Sequence, residues 1–348
     1  MKALLFLISL LAVRTAWSQD IEALSKLYGS GAYAELDRQC IDLLKTFPDH
    51  PEINMLYGRS LADQEQTVKA IGYLSKAAVS NGPAYVRAWS YAYLGTCYFT
   101  IDSIEKSRAS LLKCVELNAT KNATGYANRR ISYYGFSDHY KDWEVIESKH
   151  FRFLFQDSSN VKNKTHFIEE RESVFEELVA RFPATLPGKI DFFVWNSTDD
   201  GVNQLGASPG FARPEELLVH CRYNQTVGHE MTHIIVHHSL HPKTKSRLIN
   251  EGIAVLYDFS GRLKMDIAKL AASSSTEPIS IKDMWMRGAA FDESLLYPVG
   301  GAWLGFLETK LSGEGFRQIL QNQSYEAYPN RSELESLIAE FESLLNSK

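Results

Sequence analysis

Apolar residues recur at helical spacing through the first third of the chain, alternate with polar ones just after residue 150, and return to helical spacing beyond residue 224. A period near 3.6 marks a helix with one buried face, and a period of 2 marks a strand. Gly58, Leu61, Ala70, Leu74 and Ala77 align with Gly95, Tyr98, Ser107, Leu111 and Cys114 at a constant offset of 37. An earlier unit with Leu24, Leu27, Leu36, Cys40 and Leu43, ending at Phe47-Pro48, fits more loosely. Such a period belongs to stacked helix hairpins, each burying its apolar face on a neighbour. Residues 19–130 are therefore expected to form a short helical-repeat module. Residues 131–149, with Tyr133, Tyr134, Phe136, Tyr140 and Trp143, are too apolar for a free linker. They are expected to pack on one or both flanking modules.

The second module is read over 150–348. His150 to Phe155 alternates and reads as a strand. Residues 160–182 carry Phe167, Val174, Phe175, Leu178 and Val179 at helical spacing, ended by Pro183. Lys189 to Trp195 and Leu217 to Cys221 read as two more strands, with a turn at Pro209-Gly210 between them. A helix is expected over 224–240, capped by Asn224 or Thr226, with Val227, Met231, Ile234 and Ile235 on its apolar side. A second apolar helix spans Leu248 to Tyr257, and the rest reads as helical. The fold class is thus α+β: an N-terminal α-helical repeat module, then a domain with a small mixed sheet and a helical C-terminal half.

Composition adds a compartment. Met1-Lys2, an apolar run from Ala3 to Val13 and the small residues of Arg14-Thr15-Ala16-Trp17-Ser18 read as a secretory signal, residues 1–18, cut after Ser18. The run is short for a bilayer span, so no integral membrane segment is expected after cleavage. A secreted or periplasmic protein is the expectation. Loss of Lys2 and Arg14 takes the formal net charge from −5 to −7. That acidity, without basic clusters, argues against nucleic acid as a partner. The four cysteines, Cys40, Cys97, Cys114 and Cys221, permit disulfides in an exported protein, but their spacing is not that of a small stapled domain, and they are read as buried free thiols. On antiparallel helices at unmatched heights, Cys97 and Cys114 are not expected to pair.

The chemistry concentrates at His229-Glu230-Met231-Thr232-His233, with Asn250-Glu251-Gly252 further on. On a helix, residues i and i+4 share a face one turn apart. His229 and His233 can therefore close on one metal ion, with Glu230 beside them as a base. Two His and a Glu are a common catalytic zinc set, which makes Glu251 the third ligand. A Glu within the apolar run 248–257 would also be costly to bury unpaired. His237 looks like a rival ligand. However, three His at i, i+4 and i+8 span about 12 Å of rise, while Zn–N bonds are about 2 Å, so one ion cannot serve all three.

His-Glu-Met-Thr-His followed by Leu-x-Asn-Glu-Gly-Ile-Ala resembles the gluzincin metallopeptidases of the thermolysin and aminopeptidase-N type. The resemblance implies a zincin-like domain, one Zn2+ held by His229, His233 and Glu251, Glu230 as general base, and a peptide or protein substrate. It also implies that Gly210-Phe211-Ala212-Arg213 forms an edge strand beside the cleft, and that a Tyr from the later part of the chain faces the developing oxyanion. Tyr297 is the residue expected in that role. The exopeptidase signature Gly-x-Met-Glu-Asn is absent; Gly206-Ala207-Ser208-Pro209-Gly210 stands in that region, which turns the expectation toward an endopeptidase. Asp258 is a further position from which a carboxylate could orient a ligand His. The N-terminal units resemble tetratricopeptide repeats, which implies a surface for a protein partner or, equally, for packing on the next domain. Two other functions fit the same residues: a non-catalytic scaffold carrying a degenerate peptidase domain, and a zinc hydrolase of a non-peptide amide.

Overall fold

The computed structural model describes residues 20–275 and 277–347. The signal segment at 1–18 lies outside these residues. The chain divides into two compact units between Lys141 and Asp142. The described residues hold sixteen α-helices and one five-stranded mixed sheet. None of the helices is long and apolar enough to cross a membrane.

The first unit is entirely helical. Its helices are α1 (20–29), α2 (Tyr33–Thr46), α3 (Pro51–Asp63), α4 (Thr67–Ala78), α5 (Ala84–Thr100), α6 (Ile104–Leu117) and α7 (Lys121–Tyr133). Pro51 opens α3, where its missing N–H costs nothing. Thr120 caps α7 by accepting from Ala123 N at 3.1 Å. The 37-residue offset reappears in the packing. A Cβ on Gly58 would lie 2.7 Å from Leu74 Cγ, and one on Gly95 would lie 2.4 Å from Leu111 Cγ. Each glycine thus admits the leucine of the next helix, at equivalent positions of successive hairpins. Between the hairpins, Arg59 is enclosed by the rings of Tyr28, Trp89 and Tyr93. The four cysteines of the chain are buried and free.

The connecting segment 131–149 is shared between the units. Tyr134 stacks on Phe99 of α5 at 3.7 Å, and Trp143 meets Trp195 edge-on at 4.8 Å within the second unit. Its last part is a strand the pattern did not announce, β1 (Glu144–Glu147). β1 is mostly exposed and presents no alternation to a core, so it is invisible to hydrophobic periodicity.

The second unit continues with β2 (Phe151–Phe155), α8 (Lys164–Arg181), β3 (Ile190–Trp195), α9 (Thr198–Leu205), β4 (Phe211–Arg213) and β5 (Leu218–Arg222). The sheet order is β1-β2-β3-β5-β4; β2, β3 and β5 are parallel, and the two edges run antiparallel. Phe151, Phe153 and Phe155 point to one face, against Phe167 and Phe175 of α8. α10 (His229–Leu240) packs Met231, Ile234 and Ile235 into the same core. It begins five residues later than the sequence expectation, and neither Asn224 nor Thr226 caps it; its cap is Gly228, without a side-chain bond. The remaining helices are α11 (Arg247–Leu256), α12 (Lys264–Ala272), α13 (Ile281–Met286), α14 (Glu293–Lys310), α15 (Gly313–Gln321) and α16 (Arg331–Asn346).

Candidate metal centre

The late start of α10 sets the site. A Cβ on Gly228 would fall 2.1 Å from Tyr257 O and 2.5 Å from the Phe259 ring. Only glycine lets the chain turn there, beneath residues 257–259. Thr232 Oγ1 donates to Gly228 O at 2.8 Å and ties the first turn down. His229 and Glu230 therefore occupy the first two helical positions, and His233 follows one turn on.

Glu251 comes from α11, which is fixed by α14. A Cβ on Gly252 would lie 2.6 Å from Gly300 O, and one on Gly300 would lie 2.8 Å from Leu248 O. The two helices thus cross backbone on backbone at Gly252 and Gly300. The residue before Gly252 is the carboxylate of the site, and Tyr297 stands three residues before Gly300.

His229 Nε2 is 3.5 Å from Glu251 Oε2, and His233 Nε2 is 3.6 Å from the same oxygen. The three donor atoms lie within 4.8 Å of one another. Ligands about 2 Å from a tetrahedral ion are separated by roughly 3.4 Å. The donor set, two imidazoles and a carboxylate, and its spacing both fit a zinc-sized ion. Burial pushes the Glu251 carboxyl up, but hydrogen bonds and the charges of His229 and His233 outweigh it and hold the group well below the usual range.

Glu230 is buried, only 7% exposed. Its carboxyl is pushed up to about 7, chiefly by burial, with Glu251 adding and His229 opposing. Asn250 was not singled out by the sequence, yet its Nδ2 donates to Glu251 Oε1 at 3.1 Å and stands 3.4 Å from His233 Nδ1. It therefore touches two of the three donors. Its place directly before Glu251 is a signal that could have found it.

The Tyr297 ring stacks on that of His229, with centroids 6.2 Å apart. Burial, then the negative charges of Glu251 and Glu293, push its phenol up to about 12. Arg247 lies over the same ring at 5.8 Å and donates to Glu293 Oε1 at 2.5 Å. The phenol thus stays protonated and available as a donor beside the site.

The cleft holding these groups has a volume of about 260 Å3, and one wall is Gly210, Phe211 and Ala212. Phe211–Arg213 is β4, paired antiparallel with β5 and bordered by no further strand among the described residues. His237 also lines the cleft, with its ring 5.0 Å from that of His238. Asp258 does not orient His229 or His233. Its carboxylate takes Lys264 Nζ at 2.5 Å and Ser260 N at 2.8 Å, because the chain turns away at the end of α11.

No protein-family model matches this chain, and no curated protein matches it.

Proposed function

We propose that this chain is an exported, zinc-dependent peptidase of endopeptidase type. The observation that carries the reading is the convergence of His229, His233 and Glu251, with Glu230 beside them at the head of a cleft. Zinc, when bound, supplies a Lewis acid that acidifies a coordinated water and polarises a carbonyl. His229, His233 and Glu251 would hold it. Glu230, buried beside His229, accepts a proton and passes it to the departing amine. Tyr297 donates a hydrogen bond to the carbonyl oxygen as negative charge grows there. The free edge of β4 offers main-chain N–H and C=O groups to an extended substrate. The N-terminal unit serves as a surface for a protein partner, since stacked hairpins present one extended face.

The test is digestion of an unbiased peptide mixture by the zinc-loaded protein, read by mass spectrometry, with Glu230→Gln as control. Cleavage by the wild type alone supports the proposal, and internal cuts support the endopeptidase mode. Equal cleavage by both removes Glu230 as the base. Cleavage by neither moves the chain to a scaffold or to a non-peptide amide hydrolase.

A further inference from the structure

The metal cleft is not the larger cavity of this unit. A second one, of about 560 Å3, lies at the far end of α10, between residues 240–243 and the stretch 318–329. Its lining includes His241, Lys243, Gln318, Gln321 and Tyr328, and no carboxylate. Lys243 is exposed, and its ammonium enters no hydrogen bond or ion pair among the described residues.

One loop separates the two cavities. His241 and Lys243 line the second, while Pro242 and Lys245 line the metal cleft. The loop is held in place: Lys243 N donates to Gln321 O at 3.0 Å, Thr244 Oγ1 to Asn322 Oδ1 at 3.1 Å, and Ser246 N to Gln323 Oε1 at 2.9 Å. It is a fixed, basic partition. Lys245 does have a partner, Glu215 Oε1 at 3.3 Å, but both side chains are about half exposed, at 48% and 41%. Such a pair contributes little and exchanges readily for another carboxylate.

Small-ligand sites run from about 300 to 1,000 Å3. The metal cleft, at about 260 Å3, is below that range, so an extended polypeptide bound in it runs on beyond its walls. The loop shared by the two cavities carries Lys245 on the metal-cleft side and Lys243 and His241 on the other, where Gln318 and Gln321 also line the wall. Gln318 Nε2 already donates to Glu314 Oε1 at 3.3 Å and the Tyr328 hydroxyl to Glu333 Oε2 at 3.4 Å, so the selection for negative charge rests on Lys243 and Lys245. We propose that the second cavity and its partition form an exosite for a carboxylate-rich stretch of the substrate polypeptide, one side of the bond to be cut. This rests on the peptidase reading for the identity of the occupant, while the binding itself needs no turnover.

The experiment measures binding of fluorescein-labelled peptides of about twelve residues, roughly 40 Å when extended, to zinc-loaded Glu230→Gln protein by anisotropy. One peptide carries several Glu residues, and its partner carries Gln at the same positions. The acidic peptide is expected to bind at least ~10-fold tighter, with the difference shrinking as salt screens it. In the Glu230→Gln background, Lys243→Glu should abolish that preference. Equal binding of the two peptides overturns the proposal, as does a preference that survives Lys243→Glu. Competition by free glutamate or inorganic phosphate at peptide-like concentrations also overturns it, because the site would then hold small anions. An acidic preference in a protein that cleaves nothing leaves the exosite standing and removes the peptidase reading. Cleavage without the preference does the reverse.

Discussion

His229 Nε2 stands 3.5 Å from Glu251 Oε2, although the two residues sit on different helices. Two imidazoles and a carboxylate share one half-buried corner. The sharing makes Glu251 the group that closes the site. Glu251→Ala should lower zinc affinity by more than ~100-fold, exceeding the losses typical of residues that only support ligands. Zinc content after dialysis against a graded chelator reads this directly. Unchanged content would remove Glu251 from the ligand set.

Asn250 touches both Glu251 and His233. Asn250→Ala should therefore weaken zinc binding by about 10–100-fold, less than loss of the ligand itself. The same titration orders the two variants. An effect as large as that of Glu251→Ala would mean that Asn250 does more than orient its neighbours.

Glu230 gives a dependence on pH in the zinc-free protein. Its folded value is raised to about 7, against a usual 4.5. A raised carboxyl favours the fold below its unfolded value, and that contribution is lost as pH climbs through the folded value. Above pH ~7 the buried charge should cost roughly 3 kcal/mol. Zinc-free Glu230→Gln should then be more stable than the wild type at pH 8, with the difference gone below pH ~4.5. Urea unfolding at both pH values tests the sign. A variant less stable than wild type at pH 8 would contradict it.

The crossing of α11 and α14 sets a contest of magnitudes. Gly252→Ala gains up to ~1 kcal/mol of helix propensity. Against that, the new Cβ would sit 2.6 Å from Gly300 O, and overpacking against backbone costs typically 1–3 kcal/mol. The clash should win, lowering stability and displacing Glu251 enough to weaken zinc binding. Calorimetry and metal content together check the result. Higher stability would show that the helices separate without cost.

Two glycines of the first, helical unit make a paired test. Gly95→Ala, with 2.4 Å to Leu111 Cγ, should destabilise more than Gly58→Ala, with 2.7 Å to Leu74 Cγ. Both are expected to lose about 1–3 kcal/mol in denaturant titrations. The reverse ranking would mean that the second hairpin yields more easily than the first.

Much of the fold is legible in the sequence. The offset of 37 is a statement about Gly58 and Gly95, and it returns as two equivalent contacts with Leu74 and Leu111. Phe151, Phe153 and Phe155 alternate in sequence and share one buried face. The start of α10 was missed because helical spacing continues upstream of His229, while the turn at Gly228 is imposed from residues 257 and 259. β1 was missed because an exposed edge carries no core pattern. Asp258 had the right charge and a plausible distance along the helix. What it lacked was direction, which only Lys264 and the turn after α11 supply.

The meeting of Gly252 with Gly300 bears on heat and cold. Side-chain contacts loosen by sampling rotamers as temperature rises, but two backbones in contact have no rotamers to sample. Glu251 and Tyr297 are each anchored within three residues of that meeting. Their spacing should therefore drift little on warming, and the temperature at which the site fails should be the temperature at which α11 and α14 part.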